Sequence, residues 1–337
     1  MIRRSVLIAS TAVALAVAGC GGGDDTSPTP TPSPSSSVTP TPSPVSYSSF
    51  PLTAPAEVFT VSAATSYTGD ASAGPVTLGT AGTDAFSNRV RLAVQSSVTT
   101  AQTAETVVRE NTEESRFTGA DLLVVPAPTV TEYVYRESTA PTTAGAFTQL
   151  ELLNNTVSGQ VTSDTALALS RVSYAGWWRG ASTAGTKRIT YGTFGYPTVL
   201  SDMPTTGTFS YTMRVAGRAV VSPAAGASSV DKLTGTVTLS INYATGLVNL
   251  TMNLSRATSG GNIAYGTFTG TGAIAVGNNQ FTGSFGPGST AGGTFQGLAY
   301  GPQAAEMGIS FAISGAVAGG DSRAAGVLVG KKTAPAT

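Results

Sequence analysis

Thr208-Phe209-Ser210-Tyr211-Thr212-Met213-Arg214-Val215 alternates strictly, with Phe209, Tyr211, Met213 and Val215 separated by Thr208, Ser210, Thr212 and Arg214. A period of two is that of a β-strand with one buried and one solvated face. The pattern returns at Thr236 to Tyr243, where Val237, Leu239, Ile241 and Tyr243 are the apolar set, and at Val248, Leu250, Met252 and Leu254. It continues more loosely from Ile263 to Ile274, then through Phe281, Gly283 and Phe285, through Phe295, Gly297 and Ala299, and through Ile309, Phe311 and Ile313. Ala325, Val327 and Val329 supply an eighth segment. Eight short strands joined by turns such as Ala244-Thr245-Gly246 and Gly277-Asn278-Asn279 predict an up-and-down antiparallel β-barrel. A barrel of this size has room inside only for side chains, and glycines opposite phenylalanines let it close around them, so its interior is expected to be packed.

Upstream, residues 50–204 read as a second, less regular β region, with strand-like runs at Phe59 to Ala63, Arg89 to Val94 and Tyr133 to Arg136. The most charged stretch, Glu105 to Arg116, is expected to be a short helix or a solvated hairpin. Adjacent Trp177 and Trp178 point to opposite faces if they lie in a strand. One is then core and the other partly exposed, which makes the pair weak candidates for ligand contact. The overall expectation is an all-β chain.

Composition excludes several chemistries. The 337 residues contain no histidine, which removes the usual general base of hydrolases, the commonest metal ligand and the usual haem ligand. Cys20 is the single cysteine, so there is no intrachain disulfide and no thiolate cage. Basic and acidic residues both number 18, giving zero formal charge and no footprint for nucleic acid. The acids Glu113, Glu114, Asp121 and Glu306 have no partner identifiable by spacing. No enzyme, metal site or cofactor is therefore expected.

Residues 1–20 combine Arg3 and Arg4, an apolar run from Val6 to Val17, and Val17-Ala18-Gly19-Cys20. This resembles a bacterial lipoprotein signal with its lipobox, which implies acylation of Cys20 and, with Gly21 following, an outer-membrane address. Several acyl chains at roughly 0.8 kcal/mol per buried methylene would hold the chain on a membrane durably. Residues 21–49 form a Gly/Asp and then Thr/Pro/Ser tract with almost no apolar residue, expected to be a disordered tether. At about 3.1 Å per residue in polyproline II it would reach roughly 80 to 90 Å.

Phe295-Gln296-Gly297-Leu298-Ala299-Tyr300-Gly301-Pro302-Gln303-Ala304-Ala305-Glu306, then Ile309-Ser310-Phe311, then Ala325-Gly326-Val327-Leu328-Val329-Gly330-Lys331 resembles the last strands of the transferrin-binding protein B family of lipoproteins. The pattern departs where Ile309 and Ser310 replace a glycine region and where Leu328 replaces a closing phenylalanine. Thr193 to Thr198 and Met203 to Tyr211 resemble the barrel entry of single-lobed members. The resemblance implies a handle-like β subdomain over 50–204 and a barrel over 205–332. It also implies a lipid-anchored outer-membrane protein, facing the cell surface or the periplasm, that binds a host or environmental protein or an iron or haem carrier, with an outer-membrane receptor as a further partner. The alternative is an envelope structural lipoprotein without a soluble ligand. The motif residues Phe295, Gly297, Tyr300, Gly301, Pro302, Glu306, Gly326 and Gly330 are expected to be structural: Gly301-Pro302 suits a tight turn, and Glu306 can accept backbone hydrogen bonds.

Overall fold

The computed structural model describes residues 45–92, 106–125, 127, 129–138, 143–156 and 163–333. The signal segment, Cys20 and most of the expected tether lie outside them. The described residues contain seventeen strands and five short 3-10 turns, with no α-helix among them.

The C-terminal eight strands close into an antiparallel barrel in sequence order: β10 (Thr208–Ser222), β11 (Ser229–Asn242), β12 (Leu247–Thr258), β13 (Gly261–Ile274), β14 (Gln280–Phe285), β15 (Gly292–Tyr300), β16 (Glu306–Val317) and β17 (Gly320–Lys332). The alternation in sequence becomes inside and outside. Tyr211, Met213, Leu239, Ile241, Val248, Leu250, Met252, Phe268, Phe281, Phe295, Ile309 and Phe311 fill one buried core. Glycines make room for the rings: Gly283 pairs with Phe295, and Phe281 with Gly297. A Cβ on Gly283 would lie 2.2 Å from the tip of the Phe295 ring, and one on Gly297 2.2 Å from that of Phe281. The interior is therefore packed, as the glycine-phenylalanine spacing predicts.

The other nine strands form one sheet in the order β4-β3-β2-β1-β9-β8-β7-β6-β5. These are β1 (Ala56–Thr68), β2 (Thr77–Leu92), β3 (Thr106–Glu110), β4 (Glu113–Phe117), β5 (Leu122–Val124), β6 (Glu132–Glu137), β7 (Phe147–Leu153), β8 (Val172–Gly180) and β9 (Thr186–Gly195). The charged segment near residue 110 is thus the β3–β4 hairpin. The sheet curls on itself. Phe117 in its first strand meets Tyr135 in its eighth, ring centroids 6.1 Å apart, around a core that includes Val90, Val108, Tyr133, Leu150, Trp177 and Phe194.

The opposite face of the sheet lies on the barrel, and the two belong to one compact unit. Val61, Leu153, Val172, Tyr174, Ile189 and Tyr191 of the sheet share a core with Ala216, Val220, Leu298, Tyr300, Val327 and Val329 of the barrel. This corrects one assignment. In β17 the residues entering the barrel core are Ala324 and Leu328, while Val327 and Val329 face outward against the sheet. Strands β16 and β17 are buried on both faces where the sheet covers them, so period two alone does not tell which set points inward. Small outward residues allow the close fit: Ala63 of β1 packs on Ala312 and Ala325.

The last residues of the expected tether are also engaged. The Tyr47 hydroxyl donates to Asp202 at 2.8 Å and accepts from the Val199 backbone at 3.0 Å, while Arg171 donates to the Tyr47 carbonyl at 2.9 Å. Tyr47 is the one aromatic residue in the tract, so this is where the tract finds a surface to pack on.

Candidate functional site

The motif residues hold sheet and barrel together. Glu306, at the start of β16, accepts hydrogen bonds from the backbone amides of Ser170, Arg171 and Val172 at 2.8, 2.8 and 2.9 Å, and from the Ser170 hydroxyl at 3.2 Å. A carboxylate with three backbone donors satisfies the chain entering β8, so the residue expected to accept backbone hydrogen bonds does so across the subdomain junction. Gly301 adopts φ 70° with Pro302 beginning the short turn after it, a conformation open to glycine and costly for other residues. Tyr300 is buried against the sheet, its hydroxyl 3.3 Å from that of Thr193. Gly326 faces the Phe311 ring and Gly330 backs onto β10, where a Cβ would lie 2.0 Å from the Thr212 carbonyl oxygen. Phe295 and Gly297 belong to the barrel interior described above.

The tryptophans are packed from both sides. Trp177 is in the curled sheet's own core with the Arg179 guanidinium 4.0 Å over its ring, and Trp178 is half-buried between Phe147, at 5.0 Å, and the Arg218 guanidinium, at 4.6 Å. The opposite-face expectation is met. The exposed partner, however, is covered by an arginine of the barrel.

That arginine belongs to a buried ionic cluster that spacing does not reveal. On the sheet side, Glu151 accepts from Gln149 Nε2 at 2.9 Å and from the Tyr191 hydroxyl at 2.6 Å, and Glu132 accepts from the Tyr174 hydroxyl at 2.9 Å. On the barrel side, Arg218 pairs with Glu151, and Lys232 reaches Glu132 at 2.5 Å and Glu151 at 3.6 Å. Burial raises the Glu151 carboxyl, but Arg218 and Lys232 outweigh it and hold it below the usual range; burial lowers Lys232, and the two glutamates reverse that and raise it. A second carboxylate, Glu110, is clamped by Arg188 at 2.6 and 2.9 Å, by Arg179 at 2.9 Å and by the Thr190 hydroxyl at 3.1 Å. Of the acids named from sequence, Glu113 stands beside this clamp with Arg179 at 2.7 Å, Glu114 pairs with Arg116 at 2.6 Å, and Asp121 caps a short turn by accepting from Thr118. No two of them converge in a cleft, and among the described residues no group of three or more acidic side chains is placed to hold a metal ion.

The curled sheet ends in β4 on one side and β5 on the other. Its two edge strands contrast. β4 carries Glu113, Glu114 and Arg116, charges that discourage strand pairing. β5 and the turn after it expose Leu123 (61%), Val124 (37%), Val125 (53%) and Val130 (38%). Among the described residues β5 pairs with β6 alone, so these apolar side chains lie along a sheet edge, the geometry that accepts an added strand.

No protein-family model matches the chain, and no curated protein matches it. Among solved structures it is similar to a double mutant of transferrin-binding protein B from Haemophilus parasuis, 11% identical with a TM-score of 0.38, over 86% of this chain and 78% of that one. It is also similar to the isotype 1 transferrin-binding protein B of serogroup B Neisseria meningitidis, 13% identical with a TM-score of 0.37, over 77% of this chain and 60% of that one. An intact transferrin-binding protein B with N and C lobes is 12% identical with a TM-score of 0.36. The all-β architecture described above, a closed eight-stranded barrel beside an N-terminal sheet, stands on strand pairing in this chain.

Proposed function

We propose that this chain is a binding lipoprotein of the bacterial envelope, held by acyl groups on Cys20 and spaced from the membrane by the Pro/Thr/Ser tract, which captures a protein partner through the β5 edge. The observation that carries this reading is the apolar edge at Leu123, Val124, Val125 and Val130 on a sheet whose other edge is guarded by charge. A protein segment is the occupant that such an edge suits, because it supplies both backbone hydrogen bonds and side chains for the apolar patch. The outer membrane and the cell surface are the proposed location.

Three measurements test the proposal separately. Metabolic labelling with a palmitate analogue should mark the wild type and leave Cys20→Ala unlabelled, while protease treatment of intact cells should remove a C-terminal epitope. A photo-crosslinker at position 123 should give a protein adduct on cells, and the same probe at position 114 should not. Equal adducts at both positions, or none at position 123, would remove the edge from the proposal. Protection of the epitope until the cells are permeabilised would move the protein to the periplasm.

A further inference from the structure

A second surface feature is independent of that edge. Along the outside of β14 a recess of about 230 Å³ opens into a shallower trough of about 560 Å³, the two sharing Ala273 and Thr282. The recess lies beside Val61 of β1, where the sheet leaves the barrel wall, and Thr83 of β2 borders the trough, its hydroxyl 3.3 Å from that of Thr294. Between them these residues include no Lys, Arg, Asp or Glu side chain. Beside the apolar Leu247, Ala273 and Ala275, the walls offer carboxamides (Asn278, Gln280, Gln296) and hydroxyls (Thr271, Thr282, Ser284), and the backbone of Gly272, Gly283 and Gly297 forms a floor with Phe281 and Phe295 behind it.

Gln296 makes this a built site. It is only 6% exposed, and its Nε2 is committed to the Ser62 carbonyl at 3.0 Å, which fixes the amide's orientation. Among the described residues no donor reaches its Oε1, which is left open to solvent in the recess that the residue lines. A carbonyl oxygen held in a fixed orientation at a recess is a free acceptor for a donor placed there. A charged ligand would give up hydration here with no counter-charge to replace it, and an apolar one would leave the hydroxyls and amides dry. A neutral polyol meets every condition, because its hydroxyls donate and accept as Thr, Ser, Asn and Gln do.

We infer that this groove is a binding site for an uncharged oligosaccharide, with one sugar hydroxyl donating to Gln296 Oε1 in the recess and the chain continuing along the trough. The test is a titration of the full chain, monitored by backbone amide NMR, with uncharged hexasaccharides of glucose, mannose and galactose, alongside a sulfated hexasaccharide. The expected result is saturable shifts confined to residues 271–273, 278–284 and 294–297 with at least one neutral sugar. Thr282→Lys, which places an exposed side chain in the path, should weaken binding at least about tenfold, and Thr236→Lys, on the same wall outside the groove, should leave it unchanged. Absence of shifts with all three neutral sugars, shifts with the sulfated sugar alone, or binding unaltered by Thr282→Lys would each overturn the assignment.

Discussion

The barrel has one inner face but two kinds of outer wall. From β11 to β14 most of the outward residues are polar and uncharged, with Leu247 and Ile263 as exposed apolar exceptions, and the polar ones pair across strands: Thr238 with Thr251, Thr251 with Thr269, Asn249 with Thr271 and Thr271 with Ser284. From β15 through β17 to β10 they include Leu298, Ala312, Ala325, Val327, Val329, Ala216 and Val220, and the curled sheet covers these. The first wall meets water and the second meets protein, although both belong to strands of the same closed sheet. A barrel strand read as apolar on both faces is thus the mark of a second layer, and a strand with a clean polar face is the mark of a free surface.

The contrast can be broken most directly by placing the same side chain on each wall. Ala312→Arg, a charge driven into the contact with Ala63, is expected to destabilise by about 5 kcal/mol or to prevent folding, whereas Thr251→Arg on the open wall should stay within about 0.5 kcal/mol, both read by urea denaturation. Next in size is Glu151→Ala. It leaves Arg218 buried between sheet and barrel without its carboxylate, and about 3 to 4 kcal/mol should be lost in the same assay. Glu306→Gln keeps the shape but leaves a single acceptor oxygen, so its NH2 group faces at least one of the backbone N–H donors, for an expected loss of about 1.5 to 3 kcal/mol. Gly283→Ala pushes a methyl group at the Phe295 ring, and about 1 to 3 kcal/mol is expected, while Ser284→Ala one residue away on the outer wall should change little.

The gentlest probe is pH. Glu151 and Glu110 have carboxyls held below their ordinary value of 4.5, so the unfolded chain takes up their protons first. Their stabilisation is complete above that value and is lost as pH falls through the lower, folded value. Lys232 is raised above its ordinary 10.5, so its contribution is complete below 10.5 and fades as pH rises through the folded value. Thermal melts should therefore show a plateau between these limits and an acid-side decline that is shallower in Glu151→Gln. An identical acid decline in that variant would remove Glu151 as a source of it.

The barrel was readable because its strands repeat the alternation that its interior imposes, and the glycine-phenylalanine pairs of β14 and β15 could be read directly as packing. Gly301 and Pro302 were readable as a turn, since that role depends on local chemistry; Glu306 was readable as a backbone acceptor, but its donors, Ser170, Arg171 and Val172, come from the distant sheet. The ionic cluster was not readable. Glu132, Glu151, Arg218 and Lys232 are spread over a hundred residues, and no spacing rule connects a sheet glutamate to a barrel arginine. The clamp on Glu110 was not readable for a related reason: charge density suggested a short helix or a solvated hairpin, and only the neighbouring β9 brings Arg188 and Thr190 over it.

Local pattern in the chain is sufficient for the strands and for the hairpins that set their antiparallel order, because these follow from contacts between near neighbours in sequence, while closure pairs β10 with the distant β17. Which outer wall is covered, which face of β17 points inward, where Trp178 finds its partner and where an uncharged groove opens all depend on how the nine-stranded sheet is laid against the barrel. That placement brings together residues more than a hundred positions apart, and burial, the quantity that sets the strength of their interactions, exists only once it is made.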